Sequence, residues 1–110
     1  MDNLINNLRQ RPLRKKKIIE GVHQHVVVKY LDEPLKEAKI IVDEDLKILL
    51  ILYYDGDEPK NVQFKNVQNC KYHNKTVELL LKNKRGIVVF HFQNEEEQDR
   101  FKVDINAKNE

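Results

Sequence analysis

Residues 76–107 read TVELLLKNKRGIVVFHFQNEEEQDRFKVDINA, and the order of signals in this stretch decides the fold. Two runs, Thr76–Leu81 and Ile87–Gln93, are short and rich in apolar, β-branched and aromatic residues, as strands are. KNKRG between them, with Gly86, predicts a hairpin connection. Then the period changes. Asn94 followed by Glu95, Glu96 and Glu97 is a helix start, an Asn cap with carboxylates at the positive end of the helix dipole. Glu97 stands at capping-box spacing from Asn94. Phe101 and Ile105, four apart and flanked by Ala107, form one narrow stripe that can pack on a sheet while Glu96, Arg100 and Lys102 stay in water.

Working back toward the N-terminus, the strand signals continue. NVQFKNVQNCKYH divides into Val62–Phe64 and Val67–His73, with a corner near Lys65-Asn66. LKILLILYY, Leu46–Tyr54, is apolar on both faces over much of its length, which places it near the middle of a sheet. Ala38–Val42 ends at Asp43-Glu44-Asp45, and Gly21–Leu31 ends before Asp32-Glu33-Pro34, where the missing N–H of proline argues against a central strand continuing. Seven strands result. Connections of about 2 to 6 residues favour an antiparallel meander over helical crossovers. The expected class is mainly β with one C-terminal α-helix.

The chain has 110 residues, 40% hydrophobic and 35% charged, enough for one core and not two. Its net charge of +2 conceals a division: residues 1–17 carry +5 and residues 18–110 carry −3. The expected organisation is therefore a flexible basic arm, residues 1–20, followed by a domain over residues 21–110. In the arm, Leu4, Ile5 and Leu8 have helical spacing until Pro12. One cysteine, Cys70, precludes an intrachain disulfide, and no apolar run approaches the ~18–20 residues of a membrane-spanning helix. The start lacks the apolar core of a signal peptide and has Asp2 in place of the glycine that myristoylation requires. These features predict a cytoplasmic protein, at most peripheral at a membrane or the cytoskeleton.

Two segments, KIIVDEDLKILLILYYDGDEPKNVQFKNVQNCKYH (residues 39–73) and FHFQNEEEQDRFKVDINA (residues 90–107), resemble the pleckstrin-homology (PH) superfold. The first is similar to the run from its second strand through an aromatic third to a V-x-x-C fifth. The second resembles its last strand and Glu-rich helix, with Phe101 where that family usually has tryptophan. The resemblance implies a seven-stranded antiparallel barrel or sandwich capped by the helix. It also implies a candidate phosphoinositide site on the first two strands and their loop, here Lys29, Lys36 and Lys39. The Arg that usually accompanies these lysines is absent, and Asp32, Glu33 and Glu37 among them would repel an inositol phosphate. The third-to-fourth strand loop adds Asp55, Asp57 and Glu58.

Other chemistry is weakly supported. In strand alternation, His23 and His25 share a face, but two ligands do not make a metal site. Cys70 reads as a small buried hydrophobe rather than a nucleophile, since Lys71 and His73 lie on the other face. The acidic turns 43–45 and 55–58 lack calcium-loop order. No metal, cofactor or catalytic residue is predicted. Of Tyr53 and Tyr54, one points in and the other offers an exposed ring for a partner; Tyr54 is taken as that contact.

The expected function is thus a non-enzymatic protein-interaction or scaffold module whose basic arm aids recruitment, with another protein as partner. An alternative is a peripheral membrane adaptor in which Arg9, Arg11, Arg14, Lys15, Lys16 and Lys17, with Lys36, Lys84 and Arg85, meet anionic lipid. A third is a small subunit of a cytoskeletal or ciliary assembly. Nucleic acid is disfavoured because the domain is net acidic and lacks aromatic-basic interleaving.

Overall fold

In the computed structural model, residues 21–109 are described, with side chains through residue 105. The basic arm, from Leu4, Ile5 and Leu8 through Arg9–Lys17, and the side chain of Ala107 lie outside the described residues. Seven strands form, β1 (Val22–Tyr30), β2 (Lys36–Asp43), β3 (Ile48–Tyr53), β4 (Lys60–Gln63), β5 (Val67–His73), β6 (Thr76–Leu81) and β7 (Gly86–His91), and then a helix, α1 (Glu95–Asn109).

The strands make one antiparallel sheet in the order β4-β3-β2-β1-β7-β6-β5. The first strand is therefore central. β3, expected near the middle, is second from an edge. Its side chains alternate in burial, with Leu49, Ile51 and Tyr53 in the core. On its outer face, Ile48, Leu50 and Leu52 are only half-buried, beside Asp43, Ile41 and Lys39 across the ladder. The apolar run thus reflects one face in the core and another covered by its neighbours. Leu46 is not in the strand: it sits in the turn, 66% exposed, and Lys47 turns the chain at φ 58° before Ile48 begins to pair.

The sheet is not closed into a barrel by hydrogen bonds, because β4 and β5 stand at opposite ends of the strand order. Yet only a short 3-10 turn, Phe64–Asn66, separates them, so the sheet must curl until its two edges approach. The corner near Lys65-Asn66 falls where the sequence places it. Phe64 is buried there, and its N–H donates to the Lys47 carbonyl at 3.0 Å, tying the corner to the β2–β3 turn.

The curled sheet encloses a core built from alternate residues of every strand, including Val26, Val28, Ile40, Leu49, Leu79, Val88 and Phe90. Helix α1 supplies Phe101 and Ile105, which are 0% and 2% exposed. The ring of Phe101 lies 5.4 Å from Phe90 and 5.2 Å from Phe92. The helix starts as expected: Asn94 Oδ1 accepts from the Glu97 N–H at 2.9 Å. The return half of the capping box does not form, since the Glu97 carboxylate instead accepts from Arg100 at 3.3 Å. Two helix residues also lie deeper than their polarity suggests. Gln98 is buried and donates to the Thr76 carbonyl at 2.9 Å, and Arg100 is half-buried, donating to the Val22 carbonyl at 2.7 Å.

Gly21 is the hinge by which the chain enters. It holds φ 79°, accepts from the Val42 N–H at 2.7 Å, and approaches so closely that a Cβ would lie 2.9 Å from the Val42 carbonyl oxygen.

Candidate functional site

The two histidines of β1 separate instead of sharing a face. The register with β2 shifts between His23 and Val26, and His25 takes φ 58°, so an extra residue bulges out of the ladder. His23 turns inward and is fully buried; Gln24 and His25 both face solvent. This corrects the expected H-x-H face, because a bulge reverses the parity of alternation. Among the described residues, no group of three or more His, Cys, Asp or Glu is placed to hold a metal ion.

Inward, His23 Nε2–H donates to the Asp104 carboxylate of α1 at 2.8 Å. Its ring meets Phe101 and Phe92 edge-on, at 5.4 and 6.2 Å. Burial pulls its pKa below the ordinary 6.5, against the opposing pull of the Asp104 hydrogen bond. His23 is therefore a neutral, structural pin between the central strand and the helix.

Outward, the bulge builds a small platform. The His25 ring stacks on Tyr54 with centroids 5.1 Å apart and planes 30° apart. Its backbone N–H donates to the Tyr54 hydroxyl at 3.2 Å, and its Nδ1–H donates to the Glu37 carboxylate at 2.8 Å. Tyr54 is 46% exposed while Tyr53 is buried, so the expected inside-outside division holds. His25 and Glu37 as supports of Tyr54 escape sequence reading, since a left-handed residue within a strand has no local signature.

Among the described residues, the cations proposed from sequence have separate surroundings. Lys36 stands at the rim, bonded to Asp57 and 3.5 Å from Asp55, with its ammonium 5.3 Å from the Tyr53 ring centroid. The Asp57 hydrogen bond raises the Lys36 pKa, and Lys36 in turn lowers that of Asp57. Lys29 donates to the Leu31 carbonyl at 2.8 Å. Lys39 lies mid-strand on the outer face of β2, opposite Leu52 and away from the rim. Lys60, not singled out from sequence, is paired with Glu33 at 3.2 Å and lies over Tyr30 at 5.6 Å.

Lys84 and Arg85 occupy the β6–β7 turn, where Asn83 and Lys84 both take positive φ. Arg85 lines a cavity of about 390 Å³ in the seam between the sheet's two edges, with Tyr30, Leu31, Asn61, Gln63 and Leu81 among its walls. Among the described residues, no carboxylate lies within ion-pairing distance of Lys84 or Arg85. Cys70 is half-buried rather than fully buried, and burial raises its thiol pKa, the opposite of an activated nucleophile.

No protein-family model matches the sequence. No curated protein matches it either. Similarity appears among solved structures. The chain is similar to the structure titled PH domain from PfAPH, at 16% identity and TM-score 0.66, over 78% of this chain and 80% of that one. It is similar to the pleckstrin homology domain of USP37, at 15% identity and TM-score 0.60, over 79% and 93%. It is also similar to Inner Membrane Complex Sub-compartment Protein 3 from Toxoplasma gondii, at 12% identity and TM-score 0.61, over 76% and 70%. Seven antiparallel strands in one curled sheet, covered by a C-terminal helix that buries Phe101, together with these likenesses, give the chain a pleckstrin-homology-like fold.

Proposed function

We propose that the chain is a non-enzymatic interaction module that binds another protein through the face around Tyr54, its basic arm aiding recruitment. One observation carries this reading. The rim cations that an inositol phosphate would need are neutralised from within, Lys36 by Asp57 and Asp55 and Lys60 by Glu33, whereas the Tyr54 ring stays exposed and held by His25. A headgroup would have to displace those carboxylates and would then meet them as like charges. An aromatic ring already fixed in place loses little conformational entropy on binding, which favours it as an anchor.

The test is a photo-crosslinking residue placed at Tyr54 of the full chain, with Lys71 on β5 as an exposed control. A discrete adduct at position 54 and not at 71, with Tyr54→Ala weakening that partner's binding about tenfold or more, is the expected result. Headgroup-selective binding to phosphoinositide vesicles by a full chain whose arm cations are replaced by glutamine would overturn it.

A peripheral membrane adaptor is the competing reading, favoured by Lys84 and Arg85, which have no ion-pair partner among the described residues, and by the likeness to a protein named for an inner membrane complex. It requires vesicle attachment that falls steeply with salt. A cytoskeletal or ciliary subunit would instead be revealed by the identity of the Tyr54 adduct.

A further inference from the structure

From the β2–β3 turn to the end of β3, the alternate residues Leu46, Ile48, Leu50, Leu52 and Tyr54 are all apolar or aromatic. A sheet face open to water ordinarily reads polar at these positions. The three within the strand are half-buried on its outer face, and the two at the ends, Leu46 and Tyr54, are 66% and 46% exposed. The apolar stripe of α1, Phe101 and Ile105, is committed to the core instead.

The row has a centre. Leu46 and Tyr54 each stand four residues from Leu50, and Ile48 and Leu52 each stand two. Leu50 pairs with Ile41 of β2, and the outward residues two before and two after Ile41 are Lys39 and Asp43. Neither has an ion-pair partner among the described residues, and only Oδ1 of Asp43 is engaged, accepting from the Leu46 N–H at 3.0 Å. Apolar groups are thus symmetric about the Ile41–Leu50 pair, while the charges change sign across it. A two-fold axis in the plane of this face, crossing the strands at that pair, sets every group on its complement: Leu46 on Tyr54, Ile48 on Leu52 and Lys39 on Asp43, each twice. Parallel alignment of two such faces would instead set lysine on lysine and aspartate on aspartate. This self-complementarity singles out the chain itself as the occupant.

We infer that two copies of the chain associate face to face through the outer row of β3, with Leu46 of each against Tyr54 of the other and Lys39 against Asp43. The inference rests on the Tyr54 face being a protein contact and names a second copy as its partner. The ring that His25 holds in place is then covered by a leucine, and any other ligand of Tyr54 competes with self-association.

Sedimentation velocity of the full chain over micromolar to millimolar concentrations tests it. The wild-type chain should pass from monomer to dimer, and Leu50→Asp should weaken the association about tenfold or more. Lys39→Asp and Asp43→Lys, each alone, set like charges together and should stay monomeric, whereas their equimolar mixture makes both pairs opposite in sign and should dimerise. Circular dichroism melts establish that each variant is folded. A wild-type chain that stays monomeric throughout, or a mixture that associates no more than its components, would overturn the dimer. The photo-crosslinker at Tyr54, used on mixed isotopically light and heavy chains, separates the dimer from its premise. Adducts joining light to heavy chains at or beside Leu46 support both. An adduct to a different protein, from a chain that sediments as a monomer, overturns the dimer and leaves Tyr54 a protein contact. Adducts confined to one isotopic form overturn the dimer, and the lack of any discrete adduct overturns both.

Discussion

His23 Nε2 donates to Asp104 Oδ2 across 2.8 Å, joining the central strand to the helix between residues 81 positions apart. Around this bond the imidazole is fully buried, and its Nδ1 has no hydrogen-bond partner among the described residues. Burial disfavours the charged form of this ring, and the Asp104 carboxylate satisfies its one N–H. Asp104→Ala removes that acceptor and leaves a buried donor unsatisfied, at about 1–3 kcal/mol. In a domain of this size the midpoint of thermal unfolding should fall by about 4–8 °C for each kcal/mol.

The same residue sets a pH dependence. Burial lowers the folded-state pKa of His23, while the unfolded chain titrates near 6.5. Above that pH both states are neutral and the contribution to stability is complete. As pH falls below it, the unfolded state takes up the proton first, so stability declines until the folded pKa is passed. Urea unfolding between pH 7.5 and 5 should show this decline, and His23→Gln should lose that part of the slope. An unchanged slope in the variant would assign the titration to other groups.

Phe101 fills the centre of an aromatic cluster with His23, Phe90 and Phe92. Phe101→Ala should cost about 3–5 kcal/mol, a large share of the stability of a small domain. Phe101→Leu, which keeps most of the volume, should cost clearly less. Circular dichroism melts of both variants would check the order.

Gly21 and Gly56 separate two reasons for a glycine. Both have positive φ, 79° and 86°, but a Cβ at Gly21 would meet the Val42 carbonyl whereas one at Gly56 has nothing within 4 Å. Gly56→Ala should cost about 1–2 kcal/mol from backbone strain alone. Gly21→Ala should cost more, because the backbone must move and the Val42-to-Gly21 hydrogen bond with it. Equal losses in denaturant titrations would show that the entry to β1 yields.

Self-neutralisation of the rim predicts a gain of function. Asp55→Asn/Asp57→Asn frees Lys36 and removes two repulsive charges, so the variant should bind soluble inositol phosphates better than the wild-type chain, with little change in melting temperature. Isothermal titration of both proteins with inositol hexakisphosphate compares them directly. Indistinguishable heats would mean that the carboxylates do not guard the rim.

Much of the fold is legible in the residues. The hairpin around Gly86, the corner at Lys65-Asn66, the Asn94 cap and the Phe101-Ile105 stripe each rest on a local rule of turn chemistry or periodicity. What is hidden depends on partners remote in sequence. The bulge at His25 inverts which side of β1 faces the core, and nothing between Val22 and Val28 announces it, since the residue that turns inward is a histidine satisfied by Asp104. Gln98 is buried and Arg100 half-buried for the same reason, each holding a backbone carbonyl on a strand far away in sequence. The candidate site was legible as composition, lysines among carboxylates. That Lys36 is clasped by Asp57, while Lys39 lies elsewhere, required the strand register.

The strand at the middle of the sheet is the first of the domain to be made, and its inner histidine waits for an aspartate near the end of the helix. During synthesis, β1 therefore leaves the ribosome with its core-facing side uncovered on the helix side until residue 104 has followed. Cells that slow or truncate translation within residues 76–104 should accumulate a nascent chain held by chaperones rather than a half-built module.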